Sequence, residues 1–177
     1  MNAVVTSKSV LMLGIAGWMT IAVLNNVTDP GTNRFHLGTM FEMALLAEEP
    51  NGLGQNLRWR ALPRSITTVI LWLVVAVQIA ITAYLWKAAW RCATAALGGR
   101  STLPDATRRT AVRALTCFMA LWLCFMIGGF WFGYWIKQGA IQQVHMTLLI
   151  VSVLSIGFIG NRQLEGEPAT AGGRAPD

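Results

Sequence analysis

The sequence contains two histidines, His36 and His145, and each borders an apolar run. Paired imidazoles on facing helices hold membrane b-type haems, so haem is the first chemistry this pair suggests. Against it, neither histidine is expected deep in a helix, and an interfacial imidazole finds bonds to water and backbone. A second chemistry is recognition of a lipid-soluble redox ligand such as a quinone. Trp131, Tyr134, Trp135 and His145, together with Arg58 and Arg60, offer flat rings and a few polar groups at headgroup depth, which suits an amphipathic carrier. The same residues also satisfy an aromatic belt. A third chemistry, acid–base or metal work by Asp29, His36 and Glu42, lacks any motif such as HExxH; turn capping and a solvated helix face account for these residues. With no catalytic motif, no enzyme activity is expected.

These residues need elements to position them, and composition says in which solvent. The 177-residue chain is 54% hydrophobic and 12% charged, against roughly a quarter charged in soluble domains. Its net charge of +6 sits beside apolar segments, where lipid phosphates explain it, so nucleic acid is not an expected partner. Cys92, Cys117 and Cys124 form no CxxC pair; they read as small buried apolar side chains rather than a disulfide framework or zinc site.

The predicted architecture is all-α, with four transmembrane helices at about residues 10–26, 66–86, 114–136 and 145–160. A bilayer core of about 30 Å asks for roughly 20 residues, so the first and last are short. No cleavable leader pattern follows the first run, which is expected to remain as an anchor. Thr28-Asp29-Pro30-Gly31 reads as a turn. Residues 33–46 place Leu37, Met40, Phe41, Ala44 and Leu45 at helical spacing, the pattern of an interfacial amphipathic helix between the first and second spans. Arg58-Trp59-Arg60 follows as an interfacial anchor. Gln78, polar within the second span, is expected to face another helix. Gly14, Gly17, Gly128, Gly129, Gly157 and Gly160 are expected to let helices approach closely. Residues 1–160 thus form one membrane domain, and 161–177 read as a disordered tail.

Counting cations next to the spans sets the orientation. Lys8, Lys87, Arg91, Arg100, Arg108, Arg109, Arg113 and Arg162 lie on one side, and Arg34, Arg58, Arg60, Arg64 and Lys137 on the other. This bias puts both termini in the cytoplasm. It gathers the candidate ligand- or partner-binding residues on the outer face: His36, Glu42, Arg58, Trp59, Arg60, Trp131, Tyr134, Trp135, Gln142 and His145.

Asn26-Val27-Thr28-Asp29, Asn33-Arg34-Phe35-His36, Trp59-Arg60-Ala61 and Gly129-Phe130-Trp131-Phe132-Gly133-Tyr134-Trp135 before a glutamine-rich turn resemble a bacterial family of small integral membrane proteins, domain of unknown function 2165. The likeness runs from about residue 10 to 159. This sequence departs from the family pattern where His36 directly follows Phe35, where Met40-Phe41-Glu42 replaces Met-Asp, and where Lys137-Gln138 replaces Gln-Ser with the next tryptophan missing. The resemblance implies four membrane helices in a bacterial inner membrane and carries no activity. The expected role is that of an accessory or anchoring subunit in a larger membrane assembly, surrounded by lipid and docking to other membrane subunits. Binding of quinone, or of haem b, is the alternative.

Overall fold

A computed structural model describes residues 2–166, and every regular element among them is helical. The long helices are α1 (Ala3–Thr28), α4 (Thr67–Leu97), α5 (Asp105–Trp131) and α6 (Gly139–Gly160), each long and apolar enough to cross a membrane. At about 1.5 Å per residue, even the 22 residues of α6 reach about 33 Å. Between α1 and α4 lie α2 (Pro30–Phe41) and the single turn α3 (Ala44–Ala47), then 3-10 turns at Gln55–Arg60 and Arg64–Ile66.

Local chemistry sets the breaks. Asn2 caps α1 by accepting from the Val4 and Val5 N–H groups. Asp29 ends α1 and at once caps α2, accepting from the Thr32 N–H and hydroxyl, with Pro30 in the first turn of α2. The expected four-residue turn is therefore a one-residue junction, because proline is well placed where a helix starts. α4 follows Pro63 and stops at Gly98–Gly99; α5 opens after Pro104. The interfacial helix expected over 33–46 is broken at Met43, whose φ of 49° is left-handed.

α1 packs along α4, α5 along α6, and α4 joins the two pairs through α5. Ala16, Ala88, Ala89, Ala111 and Ala114 are buried beside Met12, Met19, Leu85, Leu115 and Phe118; small side chains bring the backbones close where lipid offers no hydrophobic drive. Elsewhere the helices expose Val10, Ile21, Val69, Leu73, Ile127, Val153 and Leu154, an apolar girdle suited to a lipid surround.

Several expectations change. α1 begins seven residues earlier than residue 10, so Lys8 lies inside the helix and is fully buried. α4 runs on past Trp86 to take in Lys87, Trp90 and Arg91. α5 ends at Trp131, and Phe132–Ile136 forms a turn with a 3-10 segment instead of membrane helix, since Gly133 at φ 67° reverses the chain. α6 begins at Gly139, so His145 lies within a helix. Residues 161–166 are not a loose tail: they contain a 3-10 turn, Gln163–Glu165, with Glu165 buried; residues 167–177 lie outside the described residues. Cys92 is buried, whereas Cys117 and Cys124 face outward, where lipid accepts a thiol as readily as a core does. The glycine expectation fails too: a Cβ added at Gly14, Gly17, Gly128, Gly157 or Gly160 would meet nothing within 4 Å. Of these six glycines only Gly129 is needed for close approach, and its neighbour is the Tyr134 ring rather than another helix.

Candidate functional site

A cavity of about 540 Å³ lies between the α1–α4 and α5–α6 pairs, with α2 across it. Asn33, His36, Leu37, Met40 and Phe41 line it from α2, Asn26 from α1, Gln78 from α4, Trp122 and Phe125 from α5, and His145 from α6. Tyr134 and Gln138 contribute from the turn before α6. Trp18 and Val144 also line it and stay about half exposed, so the cavity opens toward the lipid-facing surface.

Two polar groupings face this space. On one wall Asn33 Nδ2 donates to Asn26 Oδ1 and Asn26 Nδ2 to Gln78 Oε1, both at 2.6 Å. Gln78 thus meets another helix as expected, and the amides form a chain from α2 through α1 into α4. On the opposite wall His145 sits in an aromatic box: its ring centroid is 5.2 Å from Phe125, 5.8 Å from Trp122 and 6.1 Å from Tyr134, the last two nearly parallel to it. Trp122 is only 6% exposed, yet its indole Nε1 and the buried His145 Nδ1 have no hydrogen-bond partner among the described residues. An indole N–H only donates, and leaving it unpaired in an apolar site costs about 1–3 kcal/mol. Tyr134 directs its hydroxyl to Met126 Sδ at 3.1 Å, and its ring fills the space that a Cβ on Gly129 would occupy.

The remaining candidates lie on the surface above. Arg60 Nη1 donates to the Trp131 carbonyl at 3.1 Å. Its guanidinium lies 4.5 Å from the Trp131 ring centroid and 5.2 Å from that of Trp59. Phe41 meets Phe132 at 5.1 Å within a small apolar cluster with Met43 and Leu46. Lys137 pairs with the buried Glu49 carboxylate at 3.1 Å, whose bonds to the Leu53 N–H, Asn51 and Lys137 outweigh its desolvation and hold it below the usual glutamate range. The aromatic turn and the first connection therefore do form one surface. Glu42 is not near an acid–base set; it pairs with Arg64 at 3.0 Å. Arg58 and Trp135 are exposed and join no cluster described here. Gln142 lies one turn past Gln138, and it is Gln138 that lines the cavity.

Sequence reasoning missed Asn26, Asn33, Trp122 and Gln138 as cavity residues. The signal was present for Asn26, since an amide near a span end needs a partner; nothing marked Trp122 among eight tryptophans.

Sequence reasoning also missed a buried ionic knot at the far end of the bundle. Lys8 Nζ lies 2.6 Å from Glu165 Oε1 and 2.6 Å from the Asn161 carbonyl. Arg108 reaches both Glu165 oxygens, at 2.9 and 2.7 Å, and the Ile159 and Leu103 carbonyls. The Leu103 N–H completes the set at 3.0 Å from Glu165 Oε2. Burial pushes the Glu165 carboxyl up, but Arg108, Lys8 and the Leu103 N–H outweigh it and hold it below the usual range.

A four-helix integral membrane protein with a lateral, aromatic-lined cavity is the class these features define. Residues 4–159 match the family model described as predicted small integral membrane protein, domain of unknown function 2165, and the chain belongs to that family. No curated protein and no solved structure matches it.

Proposed function

We propose that the protein binds a lipid-soluble ligand with a flat, carbonyl-edged head, of quinone type, in the cavity beneath α2. The observation that carries this reading is the pair of unpaired ring nitrogens, Trp122 Nε1 and His145 Nδ1, buried at an aromatic wall. A carbonyl oxygen would relieve the orphaned indole N–H, and a planar head would stack where the rings of Trp122, His145 and Tyr134 already lie nearly parallel. The opening beside Trp18 and Val144 gives an isoprenoid or alkyl tail a way into lipid. Equilibrium binding of a short-chain quinone analogue to the purified chain in detergent tests it. Saturable binding is expected, weakened about fivefold to tenfold in Trp122→Phe, the weight of one hydrogen bond of about 1–1.4 kcal/mol. Affinity unchanged in both Trp122→Phe and His145→Phe overturns the reading, and a Soret band in the purified protein replaces quinone by haem.

A second reading, an accessory or anchoring subunit, draws support from the surface where Arg60 lies between Trp59 and Trp131. Trp59 is 72% exposed there, and tryptophan and arginine are enriched at interface hot spots. Under it, both termini face the cytoplasm of an inner membrane, in line with the cation bias, and the Arg60 surface faces outward to meet a membrane partner. Migration of the native protein as a lone chain at every concentration in mild detergent overturns it.

A further inference from the structure

On the side of α2 facing away from the cavity, a concave space of about 630 Å³ is bounded by Gly31, Arg34, Phe35, Arg64, Ser65 and Thr68. We infer that it is a headgroup site for an anionic phospholipid, with Arg34 and Arg64 on the phosphate and the Ser65 and Thr68 hydroxyls as further donors.

Arg64 is held in place before any ligand arrives. Its side chain crosses the helix at Gly38, where an added Cβ would come within 3.3 Å of Nε. Glu42 Oε2 accepts from its Nη1 at 3.0 Å, and the Phe35 ring centroid lies 5.9 Å from its guanidinium carbon. Those contacts use one of five guanidinium N–H groups; the rest of the planar fork suits phosphate. Arg34 has no carboxylate partner among the described residues. Glu42 accepts from Arg64, and Asp29 accepts from the N–H and hydroxyl of Thr32. Asp29 stays ionised beside Gly31, so what the pocket offers an anion is the Arg34 guanidinium, which no carboxylate meets, and the N–H groups that Glu42 leaves free on Arg64.

The surface next to it points to lipid rather than to a free anion. α4 continues from Thr68 into Val69, Trp72 and Leu73, which are 70%, 46% and 60% exposed. A phosphate held by the arginines would lay its acyl chains along this apolar strip, with Trp72 near the interface, where indoles settle. Such a lipid would also clamp α2, whose opposite side lines the cavity.

The test is titration of the full chain in detergent with short-chain phosphatidylglycerol, phosphatidylcholine and inorganic phosphate. Phosphatidylglycerol is expected to bind preferentially, with phosphate in excess failing to displace it. Arg34→Gln should weaken it about fivefold, the weight of about 1 kcal/mol for one basic side chain near an anionic surface, and the double variant with Arg64→Gln should weaken it further. Arg58→Gln, an exposed arginine outside the pocket, should leave it unchanged. Because Arg34 makes no ion pair, its variant tests the site without disturbing the Glu42 contact. Equal losses in Arg58→Gln and Arg34→Gln overturn the proposal in favour of diffuse attraction. Displacement by phosphate overturns it in favour of a free-anion site, and indifference to Arg34→Gln overturns it outright.

Discussion

Where α1 begins and α6 finishes, Lys8, Arg108 and Glu165 meet backbone carbonyls and one N–H, and both carboxylate oxygens accept at least two bonds. Where α1 ends and α6 begins, Trp122 and His145 line a cavity, and their buried ring nitrogens have no protein partner among the described residues. Both regions bury polar atoms in a membrane protein, where an unmet group is expensive. One region is closed and cross-linked, joining α1, the 98–104 connection, α5 and the segment after α6. The other is hollow. The knot is not wholly satisfied either, since Arg108 Nε lacks a partner among the described residues; under the proposed ligand reading it is the hollow end that keeps bonding capacity for something else.

The largest expected effect breaks the closed end. Glu165→Gln leaves Lys8 and Arg108 as buried cations without an anion, and removing one partner of such a set costs about 3–5 kcal/mol. Thermal unfolding in detergent should show a large fall in midpoint; a fall no greater than that of a surface substitution would mean that water reaches the knot. Acid should act on the same groups. Because the folded carboxyl lies below its usual value, the knot contributes fully above the unfolded glutamate pKa. That contribution fades as pH drops through the lower folded value. A melting series should therefore show wild type losing stability in acid while Glu165→Gln stays flatter there. Parallel curves would show that other carboxylates dominate.

A smaller effect is expected at the hollow end. Gly129→Ala would put a Cβ 2.4 Å from the Tyr134 ring, and such overpacking typically costs about 1–3 kcal/mol. Tyr134 should shift off His145 and reshape the cavity, so ligand affinity should fall more than stability does. A variant that binds normally would show that Tyr134 is not part of the site. A smaller effect on folding is expected for Trp122→Phe: removing an unpaired buried N–H offsets part of the packing lost from the core, so its unfolding midpoint should fall less than that of Gly129→Ala even as binding weakens. A strong destabilisation there would erase the distinction between the two ends.

The four spans were legible because a membrane helix advertises itself by length and apolarity, and the family likeness agreed with them. That the aromatic turn and the first connection share one face was also anticipated; the contact itself, through Trp59, Arg60 and Trp131, came from the structure. The candidate site was legible in part: His36, Tyr134 and His145 do line one cavity, while Glu42, Arg58, Trp135 and Gln142 do not. Lys8 was misread as a solvated flank because its counter-ion stands 157 residues away, and no local pattern encodes a bond of that separation. Glu165 was hidden in a stretch whose glycine and charge content reads as disorder.

By itself, then, the sequence determined the solvent, the number of spans and the placement of aromatic and basic anchors. All of these follow from local composition and the roughly 20 residues a bilayer requires. Only the tertiary structure decided which polar groups are satisfied. Hydrogen-bond and ion-pair partners come from helices distant in sequence, so the same asparagine, lysine or tryptophan can be a surface group, a strut or part of a binding wall. Packing of α1 on α4 and α5 on α6 makes that choice. It seals Lys8 with Glu165 at one end and leaves Trp122 beside His145 unpaired at the other.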